Sequence, residues 1–193
     1  MTSHFVFGFV ASLLPLVATF FYIKSILSGY TRINLAGNFI YIMATVMIIT
    51  SSVSLGVTSA ILLGFGYLLC QISVSAAGFK YGYFKFTGFD YLCITLSFFG
   101  LALWLILDAP IYGLVTNVFV DALGSLAILK KLYLHPETEA SFPWFLAFIA
   151  GAVNLLAIPV FDIENSLYTF YSITSSFMIF ALSLRKLNAS DKI

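Results

Sequence analysis

Asp121 stands in the middle of the apolar run "TNVFVDALGSLAILKK" (116–131), which ends in Lys130 and Lys131. At a helical rise of ~1.5 Å per residue the carboxyl lies ~13 Å from that basic end, near the centre of a bilayer if the run spans one. No lysine or arginine falls at the same depth. Desolvation without a cationic partner works against the charged form, so a carboxyl that gains or loses its proton as a cavity opens is a candidate for proton coupling. The competing reading is a neutral side chain that only bonds a neighbouring helix. Such bonds average ~0.6 kcal/mol, against the ~2.5–3.5 kcal/mol that insertion scales assign to a charge at mid-span. Stability alone is a poor reason for Asp121.

Steps of four along the same run join Gly113, Asn117, Asp121 and Ser125 on one helical face, a polar stripe suited to a cavity wall. Further on, Asn154 is an amide enclosed by "GAV" and "LLAI". Gly64, Tyr67 and Gln71 recur at helical spacing in an earlier run, and Tyr168, Tyr171 and Ser175 in the last. Amides, phenols and hydroxyls beside aromatic rings suit a neutral polar solute such as a sugar. For each single tyrosine, serine or threonine, an interface anchor or a backbone-bonded side chain is the plainer reading. Asp121, Asn117 and Asn154 rise above it.

The segment "HPETE" (135–139) follows the two lysines. Glu137 and Glu139 are candidates to pair with Lys130, Lys131 or Arg32 as a gate; the alternative is a solvated loop with Pro136 as the helix stop. Catalysis has little support. There is no His-Glu-x-x-His, no Gly-x-Ser-x-Gly and no phosphate loop, and Asp121 lacks the second acid an aspartyl protease needs. No cofactor or metal site is expected: His4 and His135 are isolated, and Cys70 and Cys93 read as small buried hydrophobes. The "NAS" sequon (188–190) is a chance match in an inward-facing tail.

The elements that must position these groups are spanning helices. Of the 193 residues, 61% are hydrophobic and 9% charged, where a soluble domain carries about 25% charged residues. A net charge of +1 leaves no basic surplus for nucleic acid. The first apolar run lacks a basic leader and is expected to stay in the mature chain. Seven runs approach spanning length, over 5–27, 34–53, 56–78, 90–107, 109–130, 142–160 and 165–185, with the fourth the shortest. Helices are the expected form, giving an all-α polytopic membrane protein. All nine basic residues, from Lys24 and Arg32 to Lys85, Lys186 and Lys192, lie at the first, third and fifth connections or in the C-terminal tail, whereas Asp108, Asp162 and Glu164 mark the opposite side. The positive-inside rule then sets the N-terminus outside and the C-terminus in the cytoplasm, which requires an odd number of spans.

Runs one and five also align by layout, "FFYIKSILSGYTR" (20–32) beside "LAILKKLYLHPETE" (126–139), with Lys24 opposite Lys130. This predicts two parallel three-helix bundles joined by a linker helix: 1–79, then 80–108 with the inner loop and linker, then 109–193 with the tail. "PLVATFFYIKS" (15–25) resembles the first-helix motif of the SWEET and PQ-loop transporters. "KYGYFKFTGFD", "FVDALGSLAILKK" and "YLHPETE" resemble an uncharacterised family of seven-helix bacterial and archaeal membrane proteins, itself a distant PQ-loop relative. The closer resemblance covers about residues 80 to 160. It implies a small-solute carrier working by alternating access in a prokaryotic plasma membrane, with a sugar or amino acid as substrate and Asn154 as the matching pocket amide. The family's hinge prolines near the inner ends of helices one and five are replaced by Phe21 and Ala127, leaving Pro15 and Pro159 as the bends expected in helices one and six. The expected partners are the bilayer, a small polar solute and, in an oligomer, further copies of the chain. The alternative is a membrane receptor or subunit that uses the same fold as a static binding module.

Overall fold

A computed structural model describes residues 3–81, 86–107 and 110–185. Seven α-helices account for most of them: α1 (Ser3–Leu27), α2 (Leu35–Leu55), α3 (Thr58–Tyr81), α4 (Gly88–Leu107), α5 (Pro110–Leu134), α6 (Ser141–Leu155) and α7 (Ile163–Ser183), with one 3₁₀ turn at Pro136–Thr138. The inferences drawn from Lys85, Asp108, Lys186, Lys192 and the "NAS" tripeptide lie outside the described residues.

Local chemistry sets the helix ends. Asn34 caps α2 by accepting from the Gly37 amide at 3.0 Å. Gly56 ends α2 in the left-handed region, at φ +70°, where a side chain would be strained. At α4, Thr87 and Asp90 form a capping box: the Asp90 carboxylate accepts from the Thr87 amide at 2.7 Å, and the Thr87 hydroxyl accepts from the Asp90 amide at 3.3 Å. Asp162 caps α7 by accepting from the Asn165 amide at 2.8 Å.

Five helices, α1 to α5, are long and apolar enough to cross a membrane. The exterior fits that role, for Phe79, Phe99, Leu105 and Ile106 are each more than 60% exposed. A soluble surface seldom carries such a belt, whereas lipid solvates it. Two expectations need correction. The shortest helix is α6 with 15 residues, not α4 with 20. The expected run 142–160 stops at Leu155 because Pro159 lacks an amide proton and disfavours helical backbone at Ile158. Pro159 therefore lies beyond α6 and cannot bend it. Pro15 does lie inside α1, where the Thr19 hydroxyl donates to its carbonyl at 2.7 Å. The long helix α7 falls short of the spanning criterion because serines, threonines and tyrosines interrupt its apolar character.

Packing joins α1 to α3 and α6, α2 to α3 and α5, and α7 to both α5 and α6, while α4 lies against α5 and touches α2. Small residues permit the closest approaches. A Cβ on Gly66 of α3 would fall 2.3 Å from the Ser12 carbonyl oxygen of α1. Across α2 and α5, a Cβ on either Gly37 or Gly124 would come within 3.1 Å of the other's carbonyl oxygen.

Candidate functional site

Six helices surround a cavity of about 100 Å³. The middles and C-terminal halves of α1, α3 and α5 meet the N-terminal halves of α2 and α6 there, with the middle of α7 closing the ring. Asp121 lines it from α5 and is buried, with the Tyr171 hydroxyl beside its carboxyl. Aromatic walls come from Tyr22, Tyr41, Tyr67, Tyr168 and Trp144. No lysine, arginine or histidine appears among the described lining residues.

The polar groups around Asp121 are tied to one another. One turn further along α5, the Ser125 hydroxyl bridges Tyr41 at 2.8 Å and Tyr171 at 2.7 Å. The Tyr67 hydroxyl donates to the Ala147 carbonyl and pairs with Ser172, each at 3.2 Å. Asn38 donates to the Gln71 carbonyl at 3.0 Å and to Ser75 at 2.6 Å. The Gln71 amide nitrogen donates to Thr45 at 2.9 Å, while its buried oxygen meets no protein partner. Such a network fixes the side chains and leaves acceptors over for a ligand.

The structure brings Asp121, Tyr67 and Gln71 together on the cavity, with Tyr171 one hydrogen bond behind. Asn117 and Asn154 are not on its wall, contrary to the expectation that they hold the solute. Asn117 donates to Ser51 at 3.2 Å and Asn154 to Thr169 at 2.8 Å, both fully buried with the side-chain oxygen unpaired. Asn117 does share the face of α5 that carries Asp121. One turn nearer the start of the helix, however, the bundle is filled by an apolar plug. The plug draws Ala11, Ile48, Leu63, Leu114, Ala150 and Tyr168 from the same six helices.

At the other end, the cavity closes on polar chemistry. Glu139, only 1% exposed, accepts from the Tyr22 hydroxyl, from the Trp144 indole at 3.2 Å and from the Lys131 ammonium at 2.5 Å. Lys131 also donates to the Arg32 carbonyl at 2.6 Å, and the Arg32 amide donates to the Thr138 carbonyl at 3.0 Å. Beyond this latch a wider cleft of about 600 Å³ opens, lined by Arg32, Asp90, Lys130, Lys131 and Glu137. Asn34 borders both spaces and donates to Asp90 at 3.1 Å.

Of the expected gate residues Lys130, Glu137 and Glu139, the structure joins Glu139 to Lys131, one of the anticipated partners, and pairs neither of the others with it. Lys130 sits over the Phe89 ring at 4.3 Å, and Glu137 is half exposed beside His135. In the Lys131–Glu139 pair the carboxylate is buried, while the lysine side chain is 10% exposed at the edge of the cleft. Sequence reasoning missed Tyr22, Trp144 and Asn34. The one available signal was an acid separated by Ala140 alone from "SFPWF", within reach of an indole at the start of the next helix. Among the described residues, no three metal-ligating side chains cluster. Comparison with family models, curated proteins and solved structures finds no match to this chain.

Proposed function

We propose that this chain is an integral membrane carrier that moves a small polar solute by alternating access, in the two-unit layout of the SWEET and PQ-loop proteins. The observation that carries the reading is the cavity at Asp121, set between a largely apolar cluster on one side and a polar latch on the other. A receptor has no need of two unlike barriers around one buried carboxyl; a carrier needs both.

The helix neighbours support the two-unit layout. Exchanging α1 with α5, α2 with α6 and α3 with α7 turns α1–α3 into α5–α7 and α2–α3 into α6–α7. The same exchange turns α1–α6 into α5–α2, and every one of these pairs is in contact. Only α4 has no counterpart, as a linker should not. The cavity lies where the cross pairs meet, with Tyr22 of α1 against Trp144 of α6 and Tyr41 of α2 bonded to Ser125 of α5. By the positive-inside rule the cleft with Arg32, Lys130 and Lys131 faces the cytoplasm and the N-terminus is outside; the resemblance to bacterial and archaeal proteins implies a prokaryotic plasma membrane. Asp121 binds the solute or carries a coupling proton.

Liposomes containing the protein and an internal pH dye test this with a panel of sugars, amino acids and amines, wild type beside Asp121→Asn. The reading expects solute entry with wild type and its loss in the variant. Acidification alongside entry identifies proton coupling, and entry without it a passive carrier. No entry of any solute would leave the static receptor or subunit in its place.

A further inference from the structure

The cavity has a chemical bias beyond its polarity. Its described lining holds two carboxyls and no cationic side chain. Lys131 neutralises Glu139 from the cleft side, so the uncompensated acid is Asp121. Most donors of the lining amides are committed: Asn38 to Gln71 and Ser75, Asn34 to Asp90 and the Ala127 carbonyl, and one of the two Gln71 N–H groups to Thr45. Among the lining amides the unpaired atom is an acceptor, the Gln71 oxygen, with Gln71 itself nine-tenths buried, and it lines the cavity together with the Asp121 carboxyl. Around it stand the rings of Tyr22, Tyr41, Tyr67, Tyr168 and Trp144. Aromatic walls with an acid at one point attract a cation through the ring quadrupoles and the carboxylate together. An anionic group would meet no counter-charge there. A sugar would lose Asn117 and Asn154, the amides otherwise expected to bond its hydroxyls. The space, about 100 Å³, admits only a few heavy atoms, against the ~300–1,000 Å³ of sites for larger ligands.

We propose that the cavity binds a small organic cation, an amine without a carboxylate, held by Asp121 and the Gln71 oxygen within the tyrosine and tryptophan walls. Its transport rests on the carrier reading; its binding does not.

The test measures binding and movement separately. Purified wild-type protein in nanodiscs is titrated with ethylammonium, glycine, glucose and succinate, read by calorimetry. Ethylammonium should bind, and glucose and succinate should not. Glycine should bind more weakly than ethylammonium because its carboxylate meets no partner. In Asp121→Asn the affinity for ethylammonium should fall about tenfold or more, as when one member of a desolvated charge pair is removed. Gln71→Leu should weaken it less, and this second variant keeps the test decisive if Asp121→Asn does not give a monodisperse protein. Binding of glucose or succinate in place of ethylammonium overturns the proposal, as does ethylammonium binding unchanged in the variants. Radiolabelled ethylammonium counterflow in liposomes then separates the two readings. Variant-sensitive binding without flux removes the carrier and keeps the cation site. Flux of another solute with no amine binding does the reverse.

Discussion

The two ends of the bundle close the same cavity by opposite means. On the plug side, aliphatic side chains and one tyrosine from six helices pack together, with the buried Asn117–Ser51 and Asn154–Thr169 hydrogen bonds beside them. On the latch side, Glu139 gathers a phenol, an indole and an ammonium, and a backbone bond ties the α1–α2 connection to the turn before α6. A seal made mostly of apolar packing yields to changes in volume. A buried ion pair with shared donors is all or nothing, because removing one member strands the other. In the proposed carrier, one barrier would thus be tuned by charge and the other by shape.

That contrast can be broken most forcefully at Lys131. Lys131→Met leaves Glu139 buried without its cation and should cost about 3–5 kcal/mol, measured as a lowered midpoint in denaturant titration of the reconstituted protein. The double variant Lys131→Met/Glu139→Gln should recover much of that loss. A Lys131→Met protein as stable as wild type would mean the pair is not buried. The plug should answer to volume: Leu114 is fully buried, and Leu114→Ala should cost about 2–5 kcal/mol and raise solute leak without regard to charge. Leak assays at high and low salt would separate the two, since the Leu114 effect should not change with ionic strength.

Smaller effects sharpen the picture around Asp121. Ser125→Ala removes the hydroxyl between Tyr41 and Tyr171 and should cost about 0.5–1.5 kcal/mol, again read by denaturant titration. A larger loss would mean that Ser125 organises more than these two rings. The smallest effect belongs to Asp162, an exposed cap remote from both barriers. The hydrogen bonds from Asn165 hold its carboxyl below the usual carboxylate value. Its contribution to stability is complete above the unfolded value of about 3.9 and fades as pH falls through the lower folded value. A denaturation series between neutral and acid pH should therefore differ between wild type and Asp162→Ala near neutrality and converge in acid.

Much of this was legible in the chain. Long apolar runs are helices wherever backbone groups must be satisfied internally, so α1 to α5 follow from length and composition. Asp121 was legible because an acid at mid-run has no ordinary explanation. The rotation of a helix about its axis was not, since it depends on which neighbour fills the groove. Asn117 therefore faces Ser51 of α2 and not the cavity, although it lies one turn from Asp121. Glu139 was named as a gate candidate, but its burial was hidden for a different reason. Acids in short connections are usually solvated, and this one is buried only because the turn folds back beneath Tyr22 and Trp144. The end of α6 turned on one residue, Pro159, which a run of hydrophobic residues conceals.

The central claim is that one cavity is reached from both faces of the membrane in turn. Cys70 lines that cavity, while Cys93 is buried against α2 and α5, away from it. In a Cys93→Ser background, a membrane-impermeant thiol reagent added to either side of oriented vesicles reports access directly. The account predicts labelling of Cys70 from each side, accelerated on the latch side by Lys131→Met and on the plug side by Leu114→Ala. Labelling confined to one side under every solute condition and in both variants would contradict alternating access.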